Sequence, residues 1–238
     1  MGQPLIRLEE VTKYYQMGDT VVKAIDGINI DIEKGDFVAI MGPSGSGKST
    51  AMNLVGSLDL ATHGKIILEG NDIELFSESD LAQLRGKKIG FIFQSFNLIP
   101  NLTAKENVML PMLFQQVPIE VRESRARELL KLVELDNRMD HFPNQLSGGQ
   151  QQRVAIARSL ANNPEIILAD EPTGNLDTKT GDHVMKLLTE LNSKGKTIIL
   201  ITHAPDIATK HANKVYWLKD GKIEKVTVKK GSGWINKK

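Results

Sequence analysis

A glycine-rich segment follows an apolar run early in the chain, and this pair limits the possible folds more than any other feature. Residues Phe37–Met41 are all apolar, as in a strand that is buried on both faces. The sequence Gly42–Thr50, GPSGSGKST, satisfies the pattern G-x-x-x-x-G-K-[ST], and Ser49–Leu58 has helical character. A buried strand, a glycine loop and a helix in this order predict a loop whose backbone N–H groups surround a phosphate.

The side chains of this loop suit a nucleotide that is bound together with a metal ion. Lys48 can reach the β- and γ-phosphates, the Ser49 hydroxyl can ligate Mg²⁺, and the Thr50 hydroxyl can bond a phosphate oxygen. A flexible glycine turn is the alternative, but it explains neither the lysine nor the helix. The predicted contact set is Gly42, Pro43, Ser44, Gly45, Ser46, Gly47, Lys48, Ser49 and Thr50.

Two acidic residues end a second apolar run. Residues Ile166–Ala169 predict another buried strand, and Asp170 and Glu171 follow it directly. Ligand sites of open α/β sheets lie at the carboxyl ends of the strands, so these two carboxylates are well placed for chemistry. We expect Asp170 to hold Mg²⁺ through water and Glu171 to act as general base for an attacking water. The alternative is an acidic turn that only faces solvent.

A serine, two glycines and a glutamine stand ahead of a helical segment at 151–161. Ser147 and Gln150 have the spacing of a capping box, so one interpretation is that Ser147 only caps this helix. The other is that the helix start presents the Ser147 hydroxyl and the N–H groups of Gly148 and Gly149 to a phosphate. A phosphate already held by the first loop would then receive this second helix start from another copy of the chain.

Composition limits the class of protein further. The chain has 238 residues, of which 40% are hydrophobic, and its net charge of +1 gives no indication of nucleic-acid binding. It contains no cysteine, which excludes disulfides and thiolate metal sites. No apolar run approaches the ~18 residues of a membrane span, and the N-terminus lacks the apolar block of a signal peptide. We therefore expect a soluble, cytoplasmic protein that reaches a membrane only through a partner.

The pattern along the chain predicts an α/β fold with a helical insert. We expect one domain over 1–225, in which a core at 1–95 and 161–225 includes antiparallel strands and the insert occupies about 96–160. We expect residues 226–238 to form a basic C-terminal tail. The lysine-rich segment from Lys219 onward is interpreted first as solvated and partly disordered, and second as a contact for an anionic membrane surface. The predicted strands are 5–11, 21–25, 28–32, 37–41, 66–68, 89–93, 166–169, 197–201, 215–218 and 223–228.

Taken together, these segments resemble the ATP-binding subunit of an ABC transporter over about residues 5–225. The resemblance implies a phosphate-loop (P-loop) NTPase core of mainly parallel sheet, an antiparallel β subdomain and an inserted helical subdomain. It is carried by the phosphate loop, Gln94, the signature LSGGQ at 146–150, Asp170 with Glu171, Leu176 with Asp177, and His203, in this order.

The resemblance implies a mechanism that two copies of the chain share. They close head to tail around two ATP molecules, so that the phosphate loop of one chain meets the signature of the other. Tyr15 stacks on adenine, and Asp177 organises the dimer seam. Gln94 senses Mg²⁺ and water and links to the helical insert, which grips a transmembrane permease subunit. His203 bonds the γ-phosphate and holds Glu171 in position, whereas the alternative is a histidine packed in the core.

The residues implied in the site fall into three groups. The catalytic residues are Glu171, His203, Gln94 and Lys48; the Mg²⁺ ligands are Ser49, Gln94 and Asp170; and the nucleotide contacts outside the phosphate loop are Tyr15, Ser147, Gly148, Gly149, Gln150 and Asp177. The location implied is the cytoplasmic face of the cell membrane, through the permease.

Two segments narrow the resemblance to one branch of the family. Residues 96–108 and 169–177 are similar to the lipoprotein-releasing, macrolide-exporting and cell-division ATPases. The alternative is a soluble ABC-type ATPase, such as that of iron–sulfur cluster assembly. One departure is also visible, because Ala204 follows His203 where the family usually has Asp. Alanine is a poor helix cap, so we expect a looser helix start at Pro205.

Overall fold

The computed structural model describes residues 3–231 and 233–237. The chain forms two compact units, of which the first comprises the residues up to Ala82 and those from Asn192 onward, and the second comprises Gln83–Leu191. The strands are β1 (Ile6–Met17), β2 (Thr20–Ile32), β3 (Phe37–Met41), β4 (His63–Leu68), β5 (Asn71–Asp72), β6 (Ile89–Ile92), β7 (Ile166–Asp170), β8 (Thr197–Thr202), β9 (Lys214–Lys219), β10 (Lys222–Lys230) and β11 (Gly233–Lys237). The α-helices are α1 (Lys48–Val55), α2 (Glu78–Lys88), α3 (Ala104–Phe114), α4 (Ile119–Leu132), α5 (Gly148–Ser159), α6 (Thr178–Ser193) and α7 (Pro205–His211).

The first unit contains an antiparallel sheet with the strand order β2-β1-β4-β5. Ile6 of β1 lies opposite Ile32 of β2 and Leu68 of β4, and all three side chains are buried. The predicted antiparallel β subdomain is therefore confirmed. The two strands predicted at 21–25 and 28–32 are instead one strand, because the pairing of β2 with β1 continues across the intervening residues despite register shifts.

The parallel strands of the first unit bring two predicted site segments to one edge. β3 pairs in parallel with both β8 and β9, and all five of its residues are buried. Met41 at the end of β3 lies opposite Thr202 at the end of β8. The glycine loop that begins at Gly42 and the exposed His203 therefore leave the sheet at the same edge. This is the edge at which α/β sheets bind ligands.

The basic C-terminal segment is more ordered than the sequence predicted. Asp220 and Gly221 have φ angles of 47° and 76°, as in the predicted hairpin turn between β9 and β10. β10 continues to Lys230 and pairs with β11, in which Ile235 lies opposite Val228. The prediction of a partly disordered tail is therefore wrong for the described residues, because backbone pairing on both sides of β10 orders them. Ser232 and Lys238 lie outside the described residues.

The second unit combines a pair of parallel strands with helices. Ile89 of β6 lies opposite Ile166 of β7. The helical character predicted between about 100 and 161 is confirmed by α3, α4 and α5. α3 begins with the predicted capping box, in which Thr103 Oγ1 accepts a hydrogen bond from the Glu106 N–H at 3.2 Å and the Glu106 carboxylate accepts one from the Thr103 N–H at 2.8 Å.

A buried asparagine ties the segment before α3 to that helix. Asn107 is 0% exposed, and its side-chain amide donates to the carbonyls of Leu102 and Thr103 at 3.0 Å each. Its Oδ1 accepts a hydrogen bond from the Ile99 N–H at 2.8 Å. The loop that follows Gln94 therefore has a fixed course into the helical part of the second unit.

Two helices, α2 and α6, were not predicted from the sequence. For α6 the evidence was present, since its buried residues Val184, Leu187, Leu188 and Leu191 follow the i, i+3, i+4, i+7 spacing of an amphipathic helix. Asp177 precedes α6, and its carboxylate accepts a hydrogen bond from the Thr180 N–H at 3.0 Å. The signals of α6 were therefore an N-cap and an apolar stripe.

Candidate functional site

The glycines of the phosphate loop stand where side chains have no room. A Cβ at Gly42 would meet the carbonyl of Leu218 and the side chain of Ser46, and a Cβ at Gly47 would meet the carbonyl of Ala24. Gly47 also has a φ of 98°, which L side chains rarely adopt. The loop can follow this course only because these positions lack a Cβ. These glycines therefore let the loop pack closely against neighbouring backbone of the first unit.

The start of α1 suits an anion. No side chain of the described part of the chain caps α1, and its first turn contains no acid. The residues of this first turn therefore do not neutralise the positive end of the helix. Lys48, the first residue of α1, donates from Nζ to the carbonyls of Gly42 at 2.9 Å and Pro43 at 2.8 Å. These bonds hold the ammonium group at the loop, where the sequence predicted a contact with phosphate.

Tyr15 lies on the antiparallel hairpin of the first unit. Its hydroxyl donates to Asp59 Oδ2 at 3.0 Å, and Lys13 Nζ lies 5.3 Å from the centroid of its ring. Burial, together with the bond to Asp59, raises the pKa of Tyr15. Burial also acts to raise the pKa of Asp59, but the hydrogen bonds from Lys13 and Tyr15 outweigh it and lower this pKa overall. The ring is thus anchored through its hydroxyl while the residue stays 36% exposed, which leaves surface for a planar ligand.

His203 follows β8 directly and is exposed, so the alternative of a histidine packed in the core is wrong. The predicted lack of a good cap is confirmed, since Ala204 precedes α7 without a side-chain cap. The Ala204 N–H donates instead to the hydroxyl of Thr202 at 3.1 Å. This bond orders the residue between β8 and α7, but it leaves the first turn of α7 uncapped.

The two predicted acids of the second unit lie at the end of β7. Asp170 is the last residue of that strand, and both Asp170 and Glu171 are half-buried. Glu171 has a φ of 42°, in the left-handed region. Its carbonyl accepts a hydrogen bond from the Gly174 N–H at 2.9 Å, which closes a turn. The backbone at Glu171 is therefore held in a conformation that a glutamate does not adopt by preference.

Gln94 lies beside the turn that follows Glu171. A Cβ at Gly174 would lie 2.7 Å from Gln94 Nε2, so the absence of a side chain there makes room for the Gln94 amide. Asn175 also donates from Nδ2 to the Gln94 carbonyl at 2.9 Å. The second unit thus brings together Gln94 and the turn that carries Glu171.

The signature segment forms the start of α5. Ser147 Oγ accepts a hydrogen bond from the Gln150 N–H at 3.3 Å, and Gln150 Oε1 accepts one from the Ser147 N–H at 2.9 Å. The predicted capping box is therefore confirmed. Ser147 is nevertheless exposed, and its hydroxyl still has a proton to donate. Capping α5 and bonding a phosphate are thus compatible roles for one side chain.

The starts of α5 and α6 lie against each other. A Cβ at Gly149 would lie 2.5 Å from Thr180 Cγ2, so only glycine permits this approach. Thr180 Oγ1 in turn donates to Asp177 Oδ2 at 2.6 Å. Hydrogen bonds from the Thr180 side chain and backbone lower the pKa of Asp177. Asp177 therefore stays ionised at the start of α6, close to the signature. Thr180 was not among the predicted site residues. Its position three residues after Asp177, which caps α6, was the one signal in the sequence for this contact.

A cavity of about 370 Å³ opens beside the signature within the second unit. Ser147, Gly149 and Gln150 line it on one side, and the cationic side chains of Arg153 and Lys179 also contribute to its wall. Glu134 lines the same cavity, and its carboxylate lies 3.4 Å from Arg153 Nη1, so the signature faces an open space whose wall carries charges of both signs.

The donor set predicted for a metal contains a single carboxylate. Within the described ranges, no three His, Cys, Asp or Glu side chains cluster in a way that could hold a metal ion. A hydroxyl at Ser49, an amide oxygen at Gln94 and the carboxylate of Asp170 are hard oxygen donors. Mg²⁺ is commonly held by one or two carboxylates together with waters and substrate phosphates, so these residues fit it.

No helix among the described residues has the length and apolar character needed to cross a membrane.

Comparison with known proteins places the chain in a family. The family model described as "ABC transporter" matches residues 25–174. An ABC transporter ATP-binding protein of Thermotoga maritima is 50% identical over 220 residues, which are 92% of this chain and 94% of that protein. The macrolide export ATP-binding/permease protein MacB of Brucella melitensis is 50% identical over 229 residues, which are 96% of this chain but only 35% of MacB.

A solved structure agrees with these relatives. The ATP-binding cassette MJ0796, in a dimeric post-hydrolysis state bound to ADP and Pi, matches with a TM-score of 0.88 and 48% identity. The match covers 95% of this chain and 99% of that one. MJ0796 is an ABC transporter ATP-binding protein of Methanocaldococcus jannaschii. The fold is thus that of a phosphate-loop ATPase cassette, as the sequence predicted. The chain belongs to the ABC transporter family.

Proposed function

We propose that the chain is the ATP-binding and ATP-hydrolysing subunit of an ABC transporter and works as a head-to-tail homodimer on two ATP molecules. One observation carries the proposal: the chain has two glycine-rich helix starts without an acid in the first turn, at α1 and α5. A helix start of this kind attracts phosphate. Two copies arranged head to tail bring the α1 start of one to the α5 start of the other. The dimeric state of the cassette MJ0796, bound to ADP and Pi, supports this arrangement.

The residues of the first unit bind and orient the substrate in this mechanism. The loop N–H groups and the Lys48 ammonium hold the β- and γ-phosphates, and Tyr15 stacks on the adenine. His203 donates a hydrogen bond to the γ-phosphate from the same sheet edge. From the partner chain, the hydroxyl of Ser147 and the N–H groups of the signature glycines complete the phosphate contacts, and Gln150 and Asp177 lie at the seam.

The second unit supplies the proton acceptor. Glu171 accepts a proton from the attacking water as the water oxygen bonds to the γ-phosphorus and the bond to the β-phosphate oxygen breaks. The products are ADP and phosphate. Gln94, which lies beside the Glu171 turn, orients that water through its amide. Ser49, Gln94 and Asp170 would hold Mg²⁺, and when bound the ion would supply neutralisation of phosphate charge.

The partner that this hydrolysis drives is a transmembrane permease subunit, which keeps the chain at the cytoplasmic face of the membrane. MacB supports this reading, because its name combines an ATP-binding part and a permease in one chain of which this chain spans about a third. The helical insert at about 96–160 is the part that contacts the permease, since Asn107 ties the loop after Gln94 to α3. An ATPase of iron–sulfur assembly, the alternative, has no such support among these relatives. The branch of lipoprotein-releasing, macrolide-exporting and cell-division ATPases remains the narrower proposal.

Two measurements on the full chain test this function. With ATP and Mg²⁺, the purified protein should release phosphate, and light scattering should detect a dimer that depends on ATP. Isolation of the tagged chain from detergent-solubilised membranes should recover a protein with several membrane-spanning helices. Absence of phosphate release would contradict the ATPase, and recovery of only soluble iron–sulfur assembly proteins would contradict the permease.

A further inference from the structure

A glutamine on the signature helix lies in the protein interior. Gln152 is 0% exposed, and its Nε2 donates to the carbonyl of Pro172 at 2.6 Å. This bond fixes the orientation of the amide, since a flipped amide would turn an oxygen towards the carbonyl oxygen. Its Oε1 has no hydrogen-bond partner among the described residues. Burial of an unsatisfied amide oxygen is costly, so apolar packing alone does not explain a glutamine at this position.

The carbonyl that Gln152 bonds belongs to the residue directly after Glu171. Glu171 has a φ of 42°, in the left-handed region that residues other than glycine adopt only with strain. Such a conformation persists only where its surroundings determine it. The Gly174 N–H bond to the Glu171 carbonyl closes the turn from within. The Gln152 bond fixes the same turn from outside, through a side chain on α5.

We propose that Gln152 is a positioning residue that sets the orientation of Glu171 by tying its turn to the signature helix of the same chain. The proposal rests on the proposed function, in which Glu171 accepts the proton from water. Gln152 contacts Pro172 and not the substrate, so it acts on the reaction only through the backbone that carries Glu171. In a head-to-tail dimer, the signature and Glu171 of one chain act on different ATP molecules. The bond from Gln152 to the Pro172 carbonyl links the signature helix to the Glu171 turn within that chain.

The test replaces the donor without changing the size of the side chain. Gln152→Met removes the N–H group, and Gln151→Met is the matched control, because Gln151 lies next to it on α5 and donates to the Leu146 carbonyl at 3.1 Å. Misplacement of a catalytic group by about 1 Å can cost up to ~10²-fold in rate, so we expect kcat to fall about 10- to 100-fold in Gln152→Met. KM for ATP should stay within about twofold, because the loss lies in the chemical step and not in binding.

A second measurement separates positioning from a general structural role. ATP-dependent dimers of Gln152→Met, followed by light scattering, should form as in the unmodified chain but persist longer, because their exit step is slowed. In a Glu171→Gln background, Gln152→Met should cause no further loss of phosphate release, since two residues that act through one group are not additive. Gln152→Leu, also without a donor, replaces Gln152→Met if the latter does not fold.

The outcomes are distinct. A kcat of Gln152→Met within twofold of the Gln151→Met control overturns the proposal, and so does an additive loss in the Glu171→Gln background. Equal losses of thermal stability, ATP affinity and kcat in both donor-free variants, or failure of both to fold, also overturn it, because Gln152 would then only support the fold. If the proposed function itself is wrong, the unmodified chain will not release phosphate from ATP, and this result is distinct from any effect of Gln152→Met.

Discussion

The starts of α1 and α5 both have glycines and no acid in the first turn, but they differ in whether a side chain caps the helix. Gly47 precedes α1 and offers no side-chain cap, so the first N–H groups of α1 remain available to a ligand within a single chain. At the start of α5, by contrast, two backbone N–H groups already have side-chain acceptors in the chain itself, because Ser147 and Gln150 form a capping box. The difference lies in the hydrogen bonds of the first turn: α5 has a side-chain cap of its own, whereas α1 has none. It fits the proposed mechanism, in which α1 holds the phosphate within one chain and α5 adds contacts from the partner chain.

The largest expected effect comes from breaking the start of α5. Ser147→Arg should abolish the ATP-dependent dimer and phosphate release, because its bulk lies at the exposed helix start where the proposed mechanism places the ATP held by the partner chain. Binding of ATP to the single chain should remain nearly unchanged, since the phosphate loop is intact. Light scattering and a titration with a fluorescent ATP analogue measure the two properties.

Two comparisons sharpen this result. Thr103→Ala removes the matching capping box of α3, so it reports what loss of a cap alone costs, about 0.5–2 kcal/mol in stability. Mixing Ser147→Arg with Lys48→Ala should restore ATP-dependent mixed dimers above the level of either variant alone, because one composite site is intact. A Ser147→Arg chain that dimerises and hydrolyses ATP normally would reduce Ser147 to a helix cap.

The next effect concerns chemistry at Glu171. Glu171→Gln should lower the rate of phosphate release by about 10²- to 10⁴-fold, the usual range for the loss of a positioned base. Binding contacts stay, so closed dimers should accumulate with ATP. Glu165→Gln is a matched control, because Glu165 precedes the same strand and pairs with Lys88 at 2.8 Å. An unchanged turnover in Glu171→Gln would remove Glu171 from the role of base.

A smaller effect is expected at the start of α1. Lys48→Ala should weaken ATP binding to the single chain by about 1.5–3 kcal/mol, roughly 10- to 100-fold in Kd, because hydrogen bonds to charged phosphate oxygens are lost. This variant should fail to hold ATP, whereas Glu171→Gln should retain it. Lys65→Ala removes an exposed cation from the same unit and should leave Kd unchanged. Equal ATP retention by Lys48→Ala and Glu171→Gln would contradict the roles assigned to both.

The smallest effect tests a third helix start. α7 begins after Ala204 without a side-chain cap. Ala204→Asp should stabilise the chain by about 0.5–2 kcal/mol, because an aspartate accepts hydrogen bonds from the first turn and complements the helix dipole. Thermal unfolding should shift upward by a few degrees, about 2–4 °C per kcal/mol for a chain of this length. Ala204→Leu, which cannot cap, should not produce the shift, and an equal gain in both would refute the explanation.

Much of the candidate site could be predicted because its signals are local. The phosphate loop needs only an apolar strand, glycines and a helix in sequence, and β3 and α1 appear in that place. The capping boxes at Thr103 and Ser147 use residues three apart, and the turn at Asp220 uses neighbours. α6 was missed although its apolar stripe was visible, which is a failure of interpretation and not of the sequence.

The local features of this protein follow from neighbouring residues alone: the glycine loop between a strand and a helix, the helix starts, and the acids that end a strand. The packing of the fold determines that β8 and β9 flank β3 in parallel, so that His203 leaves the same sheet edge as the glycine loop. It also determines that Gln152 reaches Pro172, and that β11 continues the sheet beyond β10. Turns and caps could be predicted because they involve residues that are close together along the chain. Partners distant in sequence depend on the packing of the whole fold, which no short segment encodes.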